Sequence, residues 1–402
     1  MKRRIMSMFL AVVMVVGMVP LFPLQVNAAE ATSGTCGKNL TWTLDADGTL
    51  TISGTGAMYN YNQNNRVPWP STIKKIFLTD GIKSIGNYAF KGCSLLNRIY
   101  IPNSVTSIGQ LAFYGCSNLN SISIPNFVTS IGKYAFGHCS ALTNVNISNI
   151  SNSLISIGDY AFEYCSSLTS IHIPNSVNYI GCFAFEHCSS LRSINISTSM
   201  ISIERSTFLD CSSLANINIP DSVTSIGQAS FQQCSSLTSI DIPNSVTSIR
   251  NSAFLMCSNL TNINIPNSVT SIGQDAFSHC SSLDNVNIPN SVTYIRDCVF
   301  RYCSSLTSIN IPKSVTSIGR RSFEGCTSLT NISIPNSVTH ISDWAFLSCT
   351  SLSDIIIPDS VTSIGARAFY NCAMSSLFFY GNAPSVNSKN SQYNSFPYDI
   401  VL

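Results

Sequence analysis

Apolar residues recur along residues 101–124 at spacings that fit neither one long helix nor one strand. An amphipathic helix repeats its apolar positions every three or four residues and a half-buried strand every two, whereas here the spacing changes within the segment. Several short elements must therefore share it. The apolar positions are Ile101, Val105, Ile108, Phe113, Cys116, Leu119 and Ile122.

The local residue types predict which elements these are. Leu119-x-x-Ile122-x-Ile124 has the spacing of a leucine-rich strand, and Pro125 ends that strand because it lacks a backbone donor. The β-branched run 104–108 predicts a second short strand on the opposite wall. Gly109 then turns the chain into 112–116, for which we expect a 3₁₀ or helical turn.

This segment is one unit of a long array. A phenylalanine recurs every 23 residues from Phe90 to Phe369, and a cysteine follows three residues after each. One step is 26 residues long, and its three extra residues fall within 148–157, where we expect a bulged turn. The pattern predicts a repeat solenoid of about 13 coils, with a parallel β-sheet on the concave face and short strands and turns opposite.

The repeated unit "IPNSVTSIGxxAFxxCSSLTSIxIP" resembles the BspA-like (Treponema-type) leucine-rich repeats of bacterial surface proteins. The resemblance covers about residues 73–374, and "SGTCGKNLTWTLDADGTLTISGTGAM" is similar to the segment that often opens such proteins. It implies an exported solenoid that attaches to host proteins, matrix or other cells, and it names no ligand. No Leu-Pro-x-Thr-Gly signal follows the array, so surface retention and release both remain open.

The segments outside the array have their own signals. Residues 1–28 combine three early cations with an apolar run and small residues at 26–28, which predicts a cleaved secretory signal peptide and no transmembrane segment after cleavage. In residues 29–72, alternating runs at 40–44 and 50–52 predict a β-hairpin cap. Asp45 and Asp47 fit its turn better than a calcium loop. The solenoid is expected over 73–380, and a tail or partial cap over 381–402.

The composition argues against some classes of function. Charged residues make up 10% of the 402-residue chain and the formal net charge is +2, so there is no basic field for nucleic acid. Serine, asparagine and threonine supply the polarity instead. Together with the signal peptide, this indicates a secreted or cell-surface protein with extracellular partners.

Thirteen of the sixteen cysteines occupy the same position of the repeat, which favours buried free thiols, although disulfides between neighbouring coils remain geometrically possible. Cys36, Cys182 and Cys298 lie off this position and are better candidates for pairing. His138-Cys139 and two similar pairs contain the residue types of a nucleophilic site. The thiol belongs to the buried position, so we predict no enzyme, cofactor or metal site.

The binding residues are expected where strand side chains point away from the core. One such column is Ser123, Asn146, His172, Asn195, Asn218, Asp241, Asn264, Asn287, Asn310 and Ser333. Its neighbour is Ser121, Asn144, Ser170, Ser193, Asn216, Ser239, Asn262, Asn285, Ser308 and Asn331. The only aromatics on this face are expected near its start, at Phe77 and Tyr100.

Two interpretations of these columns remain open, an interaction face and a ladder that keeps the sheet soluble. Variable side chains beside the phenylalanine offer another surface, namely Tyr114, Tyr164, Glu186, Leu209, Gln232, Arg301, Trp344 and Tyr370. The leading hypothesis is an adhesion or recognition module for extracellular proteins or glycans. The alternative is a structural scaffold that self-associates through its ends or flanks without a dedicated ligand.

Overall fold

The computed structural model describes residues 32–147, 153–374, 376–380 and 385–386, and within them the chain is a stack of short coils joined by parallel strands. The predicted leucine-rich repeat solenoid is thus confirmed. None of these residues forms a helix long and apolar enough to cross a membrane. We number the coils 1 to 13 by the phenylalanine that each contributes: Phe90, Phe113, Phe136, Phe162, Phe185, Phe208, Phe231, Phe254, Phe277, Phe300, Phe323, Phe346 and Phe369.

The predicted leucine-rich strands form the first ladder, which we call the long-strand face. Adjacent coils pair in register, with Asn146 opposite Ser123 and Val145 opposite Ile122. Single bridges continue it where the strand shortens, as between Asn195 and Asn218. The strands are Lys75–Leu78, Arg98–Tyr100, Ser121–Ile124, Asn144–Ile147, Ser170–His172, Ser193–Asn195, Ser239–Asp241, Asn262–Asn264, Asn285–Val286, Ser308–Asn310, Asn331–Ser333, Asp354–Ile357 and Ser376–Phe379.

The predicted second strand of each unit is also present and forms a parallel ladder of its own. Its isoleucine is buried and its serine is half-buried in most coils. The strands are Gly56–Ala57, Ile82–Ile85, Ser107–Ile108, Ser130–Ile131, Ser156–Ile157, Tyr179–Ile180, Ser202–Ile203, Ser225–Ile226, Ser248–Ile249, Ser271–Ile272, Ser317–Ile318, His340–Ile341, Ser363–Ile364 and Ser385–Val386.

The expectation of a 3₁₀ or helical turn beside the phenylalanine was wrong, because the described residues contain neither helix type. Alternate N–H groups leave the coil: those of Leu111 and Phe113 donate to the next coil's Lys133 and Ala135 carbonyls at 2.9 and 2.8 Å. Leu111 and Gly115 also have φ values of 56° and 73°, which no right-handed helix accommodates. The segment is a hydrogen-bonded turn that builds a third ladder between coils.

The core is a continuous column of stacked rings and thiols. Phe254 and Phe277 stack with their centroids 5.5 Å apart, and the Cys280 thiol donates to the Phe254 carbonyl of the preceding coil at 3.2 Å. Twelve cysteines, from Cys116 to Cys372, make this bond. Since the bond needs the S–H proton, the ladder cysteines are buried, protonated thiols, as the sequence indicated.

A β-sheet cap closes the first coil. The strands Ser33–Gly37, Leu40–Leu44 and Thr49–Gly54 are antiparallel, and the third pairs in parallel with Lys75–Leu78. The predicted hairpin is therefore present. The Asp45 carboxylate accepts the Asp47 and Thr49 N–H groups, which is the geometry of a turn.

Trp69 occupies the place of a phenylalanine below coil 1. Its ring stacks on Phe90 with the centroids 5.7 Å apart, and its indole N–H donates to the Ala89 carbonyl at 3.0 Å. The rings of Trp42 and Tyr61 make edge-to-face contacts with it. The ring column thus begins in the cap rather than in the first repeat.

Parts of the sequence-based predictions lie outside the described residues. These are the signal peptide at 1–28, residues 148–152 of the expected bulge, and most of the tail at 381–402. On both sides of the bulge the coils stay in register, since Ser130 is opposite Ser156 and Asn144 is opposite Ser170. The boundaries at 72/73 and 380/381 remain predictions.

Candidate binding surfaces

The long-strand face places all ten predicted binding residues on one surface. Each of them is exposed, whereas the isoleucine or valine before it is buried. Parallel pairing fixes their order, as with His172 opposite Asn195 and Asn310 opposite Ser333. Their exposure follows from the alternation of the strands, and their role in binding remains a prediction.

Asn195 differs from the other members of its column. Its amide accepts the Ile173 N–H at 3.0 Å and donates to the Ile173 carbonyl at 3.1 Å. The side chain therefore bridges the backbone of the preceding coil, next to the point where the regular strand reduces to the Asn195–Asn218 bridge. We assign Asn195 a structural role in addition to its place on the face.

The prediction that aromatics lie only near the start of this face was wrong. The last strand, Ser376–Phe379, pairs Phe378 with Ile356, and both side chains are exposed. With Tyr380 they line a cleft of about 530 Å³ that also contains Ser333 and Asp354. The face is therefore polar along its length and apolar at both ends.

A second surface, which we call the turn flank, is formed by the positions two before, one after and two after each core phenylalanine. The first and third of these are left-handed in every coil, and 23 such residues are not glycine. A left-handed residue other than glycine costs about 1 to 2 kcal/mol, which the hydrogen bonds of the third ladder offset. In most coils these two side chains are exposed or half-buried, whereas Leu111, Ser206 and Ala229 are buried.

In coils 3 to 5 the turn flank carries two ring stacks. Tyr134, Tyr160 and Phe183 stack with centroids 4.4 and 4.6 Å apart. The rings of His138, Tyr164 and His187 stack in parallel with centroids 4.6 and 4.3 Å apart. We call these six residues, with Glu163, Glu186 and Asp210, the acidic cluster.

The carboxylates of the acidic cluster lie close to its imidazoles. His138 Nε2 is 3.5 Å from Glu163 Oε2, and His187 Nδ1 is 2.8 Å from Asp210 Oδ2. Burial, with the nearby Glu186, raises the pKa of Glu163 to about 7, although His187 opposes the shift. Burial also lowers the pKa of His138, and the nearby His187 lowers it further.

In coils 10 to 12 the same surface carries arginines. Arg301 Nε lies 2.9 Å and Arg321 Nε 3.6 Å from Glu324 Oε2, so two cations share one carboxylate. Arg320 and Arg321 also lie over the Trp344 ring, 4.5 and 4.9 Å from its centroid. We call these residues, with Tyr302, the arginine cluster: Arg301, Tyr302, Arg320, Arg321, Glu324 and Trp344.

The histidine–cysteine pairs do not form nucleophilic sites. The Cys139 thiol is buried and donates to the Phe113 carbonyl, while His138 points outward to Glu163. Burial raises the pKa of Cys139 to about 12. Within the described ranges, no three histidine, cysteine or acidic side chains converge closely enough to hold a metal ion.

Pairing between the off-ladder cysteines within one chain was a wrong hypothesis. Cys182 and Cys298 are free thiols in coils 5 and 10, and five coil steps of about 4.8 Å separate them by about 24 Å. A disulfide needs Cα atoms within about 7 Å. Cys36 is buried in the cap and is also free.

Comparison with known proteins agrees with this architecture. The BspA type leucine rich repeat region matches in six copies, over residues 68–156, 155–284 and 270–395. A leucine-rich repeat protein from Bacteroides ovatus is 31% identical, with 85% of this chain and 93% of that chain covered and a TM-score of 0.63. No curated protein matches the chain.

A leucine-rich repeat protein from Eubacterium ventriosum shares the fold at 23% identity, with 88% of this chain and 98% of that chain covered and a TM-score of 0.52. The family match spans most of the array, and the coils and ladders are those of a repeat interaction module. The chain therefore belongs to the BspA-type leucine-rich repeat family.

Proposed function

We propose that the protein is an exported recognition module that binds extracellular proteins or glycans through its long-strand face. The observation that carries this proposal is the pair of exposed polar columns held in register, with exposed apolar side chains at both ends. A surface that is polar in the middle and apolar at its ends offers both hydrogen bonding and the aromatic anchors that dominate many interfaces.

The spacing of the columns suits an extended or repeating ligand. Each coil presents an amide or hydroxyl pair every 4.8 Å or so, and 13 coils extend about 60 Å. One coil contributes a weak contact, but many contacts on one rigid surface add to useful avidity for a multivalent target. The proposal assigns no catalytic role and no cofactor.

Export is part of the same proposal. The family resemblance and residues 1–28 support a secreted or cell-surface location. Sequencing the N-terminus of the protein recovered outside the cell should give Ala29 as the first residue. Recovery of the uncleaved chain in the cytoplasm alone would contradict export.

The binding proposal is tested on arrays of matrix proteins, mucins and glycans. A variant with Asn218, Asn264, Asn287 and Asn310 changed to alanine should lose saturable binding by tenfold or more. The matched control changes four exposed asparagines of the loops before the short strands: Asn103, Asn244, Asn267 and Asn290. Equal binding by both variants would move the site away from the long-strand face.

The scaffold alternative makes a different prediction. A scaffold without a ligand should show no saturable binding on any array and should grow in mass without limit as its concentration rises. Light scattering in the absence of added ligand measures that growth directly.

A further inference from the structure

Charge is separated along the turn flank. Coils 4, 5 and 6 contribute Glu163, Glu186 and Asp210, and coils 10 and 11 contribute Arg301 and Arg321 around the single carboxylate of Glu324. Lys133 and Arg205 lie over the rings at the edge of the acidic cluster and reduce its charge in part.

Of the three coils between the two clusters, coils 7 and 8 are uncharged on this surface, whereas coil 9 contributes the carboxylate of Asp275. Coils 7 and 8 present Gln232 and Gln233, followed by Leu255 and Met256. Met256 is 42% exposed and left-handed, so its side chain stands out from the centre of the flank. The order along the stack is acidic in coils 4 to 6, uncharged in coils 7 and 8, and net basic in coils 10 and 11, with one carboxylate in coil 9.

We propose that two copies of this chain pair through their turn flanks, antiparallel, about a two-fold axis at coil 8. Such an axis places each coil opposite the one equally far beyond coil 8. Coil 6 with Asp210 then faces coil 10 with Arg301, and coil 5 with Glu186 faces coil 11, where two cations, Arg321 and the neighbouring Arg301, outweigh the carboxylate of Glu324. Each of these two contacts occurs twice because a two-fold interface uses the same patch on each copy.

A second copy fits this surface better than an unrelated partner because the surface complements itself. Met256 meets its own equivalent at the axis, which buries an exposed apolar side chain in both copies. The exposed edges of the stacked rings and the Trp344 ring add contact area on either side.

The expected interface is modest. Coils 4 to 12 extend about 40 Å at about 4.8 Å per step, and a five-residue turn with its side chains is about 15 Å wide. Each copy therefore buries about 600 Å², near the lower end for specific complexes. We expect a reversible dimer with a dissociation constant in the micromolar range. The inference does not rest on the proposed function, since the long-strand face stays free.

Sedimentation velocity of the purified full-length protein from about 1 to 200 μM tests the pairing. The expected result is a monomer–dimer equilibrium that weakens at least tenfold in 1 M salt, since salt screens the matched charges. A Met256→Glu variant should lose the dimer, because the two-fold axis sets the new carboxylates against each other. Ile201→Glu is the matched control, since Ile201 is exposed near the short-strand ladder and should leave the dimer unchanged.

Exchanging the charges at two facing positions tests whether the two copies pair antiparallel. Asp210→Lys and Arg301→Glu variants should each dimerise weakly alone, and an equimolar mixture should recover a mixed dimer in which both contacts are attractive, one of them natural and one with its charges exchanged. Thermal melting first establishes that both variants are folded. A monomer throughout the range, a dimer unaffected by Met256→Glu, or mass that grows beyond two copies would overturn the proposal.

Discussion

The long-strand face and the turn flank are equally repetitive in backbone and opposite in side chains. On the long-strand face nearly every coil repeats serine or asparagine, whereas on the turn flank the corresponding positions range from Gly325 to Trp344. In a ladder of strands the exposed side chains are close neighbours, so the two adjacent coils constrain each residue. On the flank the backbone shape is held by hydrogen bonds between coils, which leaves the side chain free to vary.

The largest expected effect comes from removing part of the core that both surfaces share. Phe231 is buried and its ring stacks on Phe208 and Phe254 at 5.5 and 5.4 Å. A Phe231→Ala variant should lose about 3 to 5 kcal/mol of unfolding free energy, since it leaves a cavity between two coils. Urea unfolding measures the loss. A loss below about 1 kcal/mol would mean that the ring column contributes little to stability.

Glycine substitutions should change the unfolding free energy in opposite directions on the two surfaces. Gln233 has a φ of 61°, so Gln233→Gly removes strain and should raise the unfolding free energy by about 0.5 kcal/mol. Asn264 is in a strand, and Asn264→Gly should lower it by about 0.5 to 1 kcal/mol. The same urea experiment compares the pair, and a change of equal sign at both sites would contradict the assignment of backbone strain to the flank.

The smallest expected effect concerns pH on the acidic cluster. Because burial raises the pKa of Glu163 from 4.5 to about 7, its proton stabilises the fold at low pH, and this contribution is lost as pH rises through about 7. A Glu163→Gln variant should therefore melt about 1 °C higher than the natural protein at pH 8 and equally at pH 4. Gln232→Glu, in coil 7, is the control for a change in the number of carboxylates on the flank. A gain in melting temperature that is larger at pH 4 than at pH 8 would contradict the predicted sign.

Most of the fold followed from the sequence because the repeat makes each residue a neighbour of the residue 23 positions away. Phe113, Cys116 and Ile122 lie where their spacing placed them. The left-handed turn did not follow, since tyrosine, tryptophan and arginine rarely adopt positive φ. One signal was available: Gly92, Gly115 and Gly325 fill the second left-handed position in their coils.

Some of the candidate surface residues could be predicted from the sequence and others could not. The column from Ser123 to Ser333 followed from strand alternation alone. The aromatic end at Phe378 and Tyr380 was missed because the repeat decays there, although the strand pairing continues. The acidic and arginine clusters combine positions from several coils, so they emerge only when the sequence is aligned unit over unit.

The three ladders of hydrogen bonds also determine how the molecule responds to mechanical force. A pull on the two ends of the stack acts along these hydrogen bonds, so we expect the coils to separate one after another rather than to slide past one another. Each coil that opens releases 23 residues, or about 75 Å of extended chain. Under load the array is therefore expected to lengthen in steps of one coil.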